Sequence, residues 1–504
     1  MKSINYWTFE ESLNEAIETL LFKCRSADSG LGSKFSNIDY GGAIARLLYT
    51  SAHNDDLLRR YFERIVEGGG KPLWALVPSD LSALARELLP IWGASSTVVI
   101  GIPTKRQLHR YLFYFPWLLN IWILLKRLMN PSLYSSNVLK VDPSILCFAH
   151  HKKFVGLIRP IASKTGSRYA FLVRDKRQQA LLDLRDDEVV YLSSSPYQQI
   201  KSGFKSKWPD VLNLASRFDN ILFKIKPKML IYCEGDAWPQ DLFAHTGKKN
   251  LIPSICMQWG AYPSSRPRIG FRHMGCTAFL TWGDYFGDQL KSYNTETQFI
   301  SVGHPGLQLG LPEKINRRII FLLNTDPNGK VTGLDAFHEQ FWALLQWVAE
   351  NADGWEIIVR MHPMIPLSIA ERDLLSRFKC IQLHDPANKT LMESLNKCDL
   401  ALTVSSSSVI EAAACGVIPF ILNPAPWSFK PEFYAHRAGF EFDNVPLAIE
   451  RLKALMLNPG DLLEIRGNLI EFRKKLFLTV GDSALNNIVA AINSLIISSK
   501  AGRN

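Results

Sequence analysis

The chain has 504 residues, is 47% hydrophobic and 21% charged, and carries a formal net charge of +11. These values are ordinary for a folded soluble protein and leave room for two or three domains with a large core. The eight cysteines are scattered with no CxxC pair, which argues against a disulfide framework and for reduced core residues in a cytoplasmic protein. The positive balance suits polyanionic partners (a membrane surface, nucleic acid, acidic sugars or nucleotides) without choosing among them.

The start, MKSINYWTFEESLNEAIETLLFKC, carries charges throughout and no uninterrupted apolar core, so it does not read as a signal peptide. TFEES reads as a helix start with Thr8 as the cap. The first 141 residues read as helical, without a β-α rhythm, as in NEAIETLLFK, DDLLRRYFERIVEGG and SDLSALARELLPIW. This extension ends in RYLFYFPWLLNIWILLKRLMNP, Arg110 to Pro131. Its apolar run is shorter than the roughly 20 residues that span a bilayer, and Pro116 and Asn120 interrupt it. Three readings remain: a buried helix or helix pair, an interfacial helix docking on the inner membrane surface, or a true span. Trp117 and Trp122, with the flanking Lys105, Arg106, Arg110, Lys126 and Arg127, suit the second.

From about residue 142 the pattern changes. Short apolar runs alternate with helical stretches: ILCFA, RYAFLV, VVYL, MLIYC, IPSICMQ and AFLTWG. FISVGHPGLQLG reads as a crossing segment, after which RIIFLLN, WEIIVRMHP, KCIQLH, DLALTV and VIPFIL form a second series. Continuous apolar runs bounded by turn residues are the mark of parallel strands buried on both faces. The expected architecture is α/β: a helical extension over 1–141, a Rossmann-like acceptor and catalytic domain over 142–305, a Rossmann-like nucleotide-binding domain over 306–445, and C-terminal helices over 446–504.

In open α/β sheets ligands bind outside the carboxyl ends of the strands. Ser405, Ser406, Ser407 and Ser408 follow DLALTV and precede a short helix. Unpaired amides and hydroxyls there make a phosphate cradle, whereas a simple helix cap needs one serine. Glu411, one turn on, can accept from ribose hydroxyls, and Gly416 closes the helix. His362 emerges at a second strand end, with Pro363 fixing the turn, where it can donate to a phosphate or serve a structural role. In IYCEGDAWPQ, Glu234 and Asp236 follow a strand; they are candidates for a general base or a nucleophile, or else a cap and a surface acid. Lys152, Lys153, Arg159, Arg266, Arg268, Arg272 and His273 lie in two basic clusters that suit a sugar carboxylate or a solvated loop equally.

RMHP, followed about 40 residues on by SSSSxxEAAACGxxPF, resembles the GT-B glycosyltransferases that use CMP-activated acidic sugars, the polysialyl and Kdo transferases of bacterial capsule and O-antigen assembly. ILCFAHHKKF and EGD are most similar to the retaining β-Kdo transferases. The resemblance runs from about Ile145 to Leu422. It implies that His362, Pro363, Ser405, Ser406 and Ser407 hold the CMP phosphate, with Glu411 near the nucleotide. It also implies that Asp236 is the nucleophile, with Glu234 as its acid/base partner and His273 as a weaker candidate. In an inverting enzyme Asp236 or Glu234 would instead deprotonate the acceptor. The donor sugar most expected is Kdo, its carboxylate received by Lys152, Lys153 or Arg272. The other partner is a glycan acceptor, lipid-linked in one version, at the inner face of the bacterial cytoplasmic membrane.

No GxGxxG turn, GxxxxGK[ST] loop, HExxH or Cys/His cluster occurs, so neither a cofactor nor a metal is expected. Nor is there a strict DxD, though EGD comes near one. A nucleic-acid partner is not expected, because the positive charge is not interleaved with aromatics. Two alternatives remain: a CDP-glycerol or UDP-sugar transferase of the same fold, and a non-catalytic membrane-docked module of polysaccharide assembly.

Overall fold

The structure is a computed structural model that describes residues 2–26, 41–53, 56–66, 72–78, 81–102, 143–192, 209–233, 238–260, 269–310, 314–325, 337–363, 365–404, 406–423 and 432–501. The aromatic stretch from Arg110 to Pro131 lies outside them, as do Glu234, Asp236, Arg266, Arg268 and Ser405.

The extension contains α1 (Lys2–Ser26), α2 (Gly41–His53), α3 (Asp56–Val66), β1 (Trp74–Pro78), α4 (Ser82–Ile91) and β2 (Val98–Ile102). It is not wholly helical. β1 and β2 pair in parallel, Leu76 opposite Ile100, with α4 as the crossover. Runs as short as WALVP and VVIGI carry no decisive periodicity, which is why the sequence reading misses them. α1 begins at Lys2, so Thr8 lies inside the helix and does not cap it. Phe9, Leu13 and Ile17 of α1 and Phe62 of α3 share one core with Phe218, Leu230 and Phe243 of the next domain, so the extension is part of that domain's packing.

The first domain runs β3 (Ile145–Phe148), α5 (Lys152–Lys164), β4 (Tyr169–Val173), α6 (Lys176–Leu182), β5 (Val189–Tyr191), α7 (Pro209–Ile225), β6 (Met229–Cys233), α8 (Trp238–Lys249), β7 (Ser254–Met257), β8 (Ala278–Thr281), α9 (Asp284–Leu290) and β9 (Gln298–Ser301). Its seven strands are all parallel, in the order β5-β4-β3-β6-β7-β8-β9. The second domain runs β10 (Arg318–Leu322), α10 (His338–Asn351), β11 (Glu356–Arg360), α11 (Ile369–Ser376), β12 (Ile381–His384), α12 (Leu391–Leu395), β13 (Leu400–Thr403), α13 (Ser408–Ala414), β14 (Ile418–Leu422) and β15 (Phe440–Phe442). Its order is β12-β11-β10-β13-β14-β15, again parallel. Each sheet reverses its winding once, between its first and fourth strands.

Three helices follow: α14 (Val445–Leu457), α15 (Asp461–Leu476) and α16 (Gly481–Ala501). α15 is tied to the second domain. Arg466 pairs with the buried Asp399 at 2.7 Å, and Arg473 donates to the Ala414 and Gly310 carbonyls at 2.8 and 2.9 Å. The chain then returns to the first domain, where Ile488 and Ile492 of α16 pack with Ile145, Val155, Ile158 and Val302. The crossing is backbone to backbone: Leu478 N donates to Trp282 O, His304 N to Thr479 O, and Gly481 N to His304 O. Gly283 and Gly303 make the approach possible. A Cβ at either would overlap the main chain of Lys475–Leu476 or of Thr479, and Gly303 also sits at φ +94°. Two Rossmann-like domains, with a C-terminal helix crossing back to the first, define a GT-B-like fold.

Gly303→Ala adds both left-handed strain and that overlap, so it should destabilise the protein by about 2 kcal/mol or more, read by urea denaturation. A second interior constraint is the ion pair of Arg46 in α2 with Asp241 in α8, 2.7 Å apart with both side chains buried. Burial alone would raise the Asp241 carboxyl, but Arg46 and His245 outweigh it and leave it at about 2. Arg46→Ala strands that charge and should cost about 3–5 kcal/mol in the same measurement.

Candidate functional site

The reversal in the second sheet falls between β10 and β13, and the chain leaves β13 straight into the serine turn. A crevice opens at such a reversal because the helices on its two sides leave in opposite directions. Beneath it Thr403 Oγ1 bonds to Leu322 O and Asn324 Oδ1, both at 3.3 Å, which locks the ends of β10 and β13 together.

The turn is less open than its four serines suggest. Ser406 N donates to Thr403 Oγ1 at 3.1 Å and Ser408 N to Ser406 Oγ at 3.2 Å. Val409 N and Ile410 N close on the Ser406 and Ser407 carbonyls. Ser407 remains: its side chain is exposed and makes no cap bond. At seven residues α13 has only a short dipole, so a ligand here would be held mainly by Ser407 and its neighbours. One turn in, Glu411 Oε2 is buried with no hydrogen-bond partner, although other atoms of the residue are partly exposed. Burial raises its carboxyl to about 7.

His362 follows β11, on the far side of β10 from the turn. Two strand spacings separate the two chain paths, roughly 10 Å, the scale of a nucleotide rather than of one phosphate. His362 lines a cavity of about 20 Å³ with Thr325 and Glu371, room for a single water. His338 bonds both of these, at 3.0 Å to Thr325 Oγ1 and 3.2 Å to Glu371. Burial lowers the pKa of His362 below its ordinary value, so the ring is neutral at pH 7 and acts as a hydrogen-bonding group. Pro363 beside it is exposed.

In the first sheet the reversal falls between β3 and β6. The residues after β3 are HHKK, and those after β6 are Glu234 to Ala237, outside the described residues. His150 pairs with Gln240 at the start of α8, and His151 caps α5 by accepting from Lys153 N at 3.2 Å. Lys152 turns to Asp183 at 3.0 Å on the surface. Lys153 points elsewhere, its ammonium 4.9 Å from the centre of the Trp259 ring.

Arg272 and His273 are not brought to either crevice. His273 pairs with Glu18 of α1 at 3.1 Å, and Arg272 lies 3.7 Å from the same carboxylate. The residues after them bond to Asn294 and Thr297, which lead into β9, so this stretch sits at the amino edge of the sheet. Their chemistry is that of a clasp on the extension, and the sequence reading placed them near the donor because it could not see which edge the loop returns to.

Sequence reasoning also missed a cavity of about 240 Å³ at the carboxyl ends of β7, β8 and β9, walled by Trp259, Trp282 and His304. The signal available was VGHPG, a polar turn following an apolar strand. Among the described residues no group of three or more His, Cys, Asp or Glu could hold a metal, and no helix is long and apolar enough to cross a membrane.

No protein-family model matches the chain, and no curated protein matches it. Solved structures similar to it include the UDP-GlcNAc 2-epimerase of Neisseria meningitidis bound to UDP-GlcNAc, at 12% identity over 70% of this chain and 99% of that one, with a TM-score of 0.46. A lipopolysaccharide outer core galactosyltransferase, WaaB, is 11% identical over 70% and 99%, with a TM-score of 0.44. A glycosyltransferase from Rickettsia africae is 12% identical over 70% and 98%, with a TM-score of 0.41. At such identities and scores these likenesses do not bear on what the chain binds or does.

A carboxyl near 4.5 in the unfolded chain and about 7 in the folded one takes up a proton on folding between those pH values. Stability therefore falls as pH rises through that window. Glu411→Gln should abolish this slope and leave the protein more stable at pH 8, by on the order of 2–3 kcal/mol in urea denaturation.

Proposed function

We propose that the protein is a glycosyltransferase that moves an acidic sugar, Kdo, from a CMP donor to a bacterial surface glycan of the O-antigen or capsule class, working peripherally at the inner face of the cytoplasmic membrane. The observation that carries this reading is the serine turn at the winding reversal of the second sheet, with His362 at a neighbouring strand end. The buried, unpartnered Glu411 oxygen beside it supports a polar ligand, since an orphaned acid of this kind costs stability unless something pairs with it. The choice of CMP and Kdo rests on the sequence resemblance.

In this scheme Ser405, Ser406 and Ser407 hold the phosphate, Glu411 accepts from the ribose, and neutral His362 donates to the departing CMP. Asp236, three residues after β6 in the sequence, attacks the anomeric carbon; the sugar–phosphate bond breaks and its electron pair leaves with CMP. Glu234 then takes the proton of the acceptor hydroxyl, which displaces Asp236, so two inversions give net retention. The leaving group carries one phosphate, and hydrogen bonds suffice to stabilise it here without a bound metal.

Thermal unfolding with CMP, CDP and UDP is the direct check, because a ligand raises the melting temperature only if it prefers the folded state. CMP should shift it most. A shift with UDP and none with CMP would move the protein to the UDP-sugar class. Ser407→Ala should weaken CMP about tenfold or more, the usual loss for a hydrogen bond to a charged group. Asp236→Ala should abolish turnover of CMP-Kdo while CMP still binds; normal turnover would remove Asp236 from the mechanism.

A further inference from the structure

We propose that the cavity at the carboxyl ends of β7, β8 and β9 is a subsite for one pyranose ring bearing a carboxylate. The inference deepens the reading above and rests on it for the class of ligand. At about 240 Å³ the cavity is smaller than the pockets that take drug-sized molecules, roughly 300–1,000 Å³, so it holds one ring and not a whole nucleotide sugar.

Its walls fit that occupant. Trp259, half-buried, gives a flat apolar surface against which the C–H face of a sugar ring can lie, and the buried Trp282 forms part of the apolar wall behind it. Gln258 ties the two segments together: its Oε1 accepts from Trp282 N at 2.9 Å and its Nε2 donates to Gly260 O at 2.9 Å. His304 offers a ligand a donor. Its Nδ1 accepts from Gly306 N at 3.1 Å, which places the ring proton on Nε2. Burial lowers its pKa to about 4, so the imidazole stays a neutral donor across physiological pH. The Trp282 ring, 4.4 Å away, fixes its plane.

A cation stands beside this site. Lys153 stands over the Trp259 wall with its ammonium 4.9 Å from the ring centre, and no acidic residue is among the described residues that line the cavity. One fixed neutral donor and one nearby cation favour an anionic sugar over a neutral one. The ring is either that of the donor or the terminal acidic sugar of the acceptor.

The test uses the full chain and saturation-transfer NMR with free Kdo and N-acetylneuraminic acid, against glucose and N-acetylglucosamine. The acidic sugars should bind at least fivefold more tightly. Lys153→Gln should erase that preference, while Lys291→Gln, an exposed lysine on the far end of α9, should leave it intact. Equal binding of both classes, no binding of either, or an unchanged preference in Lys153→Gln would overturn the subsite. If CMP still stabilises the fold in that case, the nucleotide reading stands without it; if acidic sugars bind as expected and CMP does nothing, the nucleotide reading fails alone. Competition between free Kdo and CMP-Kdo assigns the ring to the donor, and simultaneous binding assigns it to the acceptor.

Discussion

The arrangement of the molecule depends on the close passage of residues 475–481 along the first domain. Main-chain hydrogen bonds to the Trp282 carbonyl and to both backbone groups of His304 hold that stretch of chain, and they form only because positions 283 and 303 have no side chain. Everything on either side inherits its position from this contact. Trp282 and Phe477 stack across it, with ring centres 6.2 Å apart, and His304 is pinned through both of its backbone groups. The large cavity opens beside the crossing, so its shape follows from where the two domains are joined.

Charge is buried in few places, and each has a mechanical use. Asp241 binds the extension to α8 through Arg46, and Asp399 binds α15 to the base of the second sheet through Arg466 while accepting from the Asn316 and Arg318 amides. Asp399 has both oxygens bonded, and the charge of Asp241 is matched by Arg46 and His245, as buried charges must be if the desolvation cost is to be offset. Glu411 also keeps one oxygen buried without a hydrogen bond among the described residues. Natural structures keep few such groups, and they concentrate where a ligand completes the set.

The strands were the most legible part of the sequence. ILCF, MLIYC, IIFLL, EIIVR, LALT and IPFIL appear in the structure within a residue or two of where their apolar runs fall, because strands covered on both faces must be apolar at every position. β9 passed for a linker, since its residues are only partly buried and the chain turns polar straight after it. The exposed pair β1 and β2 escaped for the opposite reason: Trp74, Leu76, Val98 and Ile100 face outward, so no polar alternation marks them. Strand order is a tertiary property that no single run encodes. The serine turn could be read as polar and small, but its place at the winding reversal could not. Arg272 and His273 show the limit most clearly, because their charge was visible while the side of the sheet to which their loop returns was not.

The packing of α16 has a consequence for how the protein is made. Ile488 and Ile492 complete the core beside Ile145, Ile158 and Val302, so the earlier domain is missing part of its interior until α16 is translated. Ribosomes add about 5–20 residues per second, which leaves that apolar groove open to water for about 10–40 s after β9 has emerged. During synthesis a nascent first half therefore presents a sticky surface, the kind that molecular chaperones shelter, and a stop codon ahead of α16 would leave it uncovered for good.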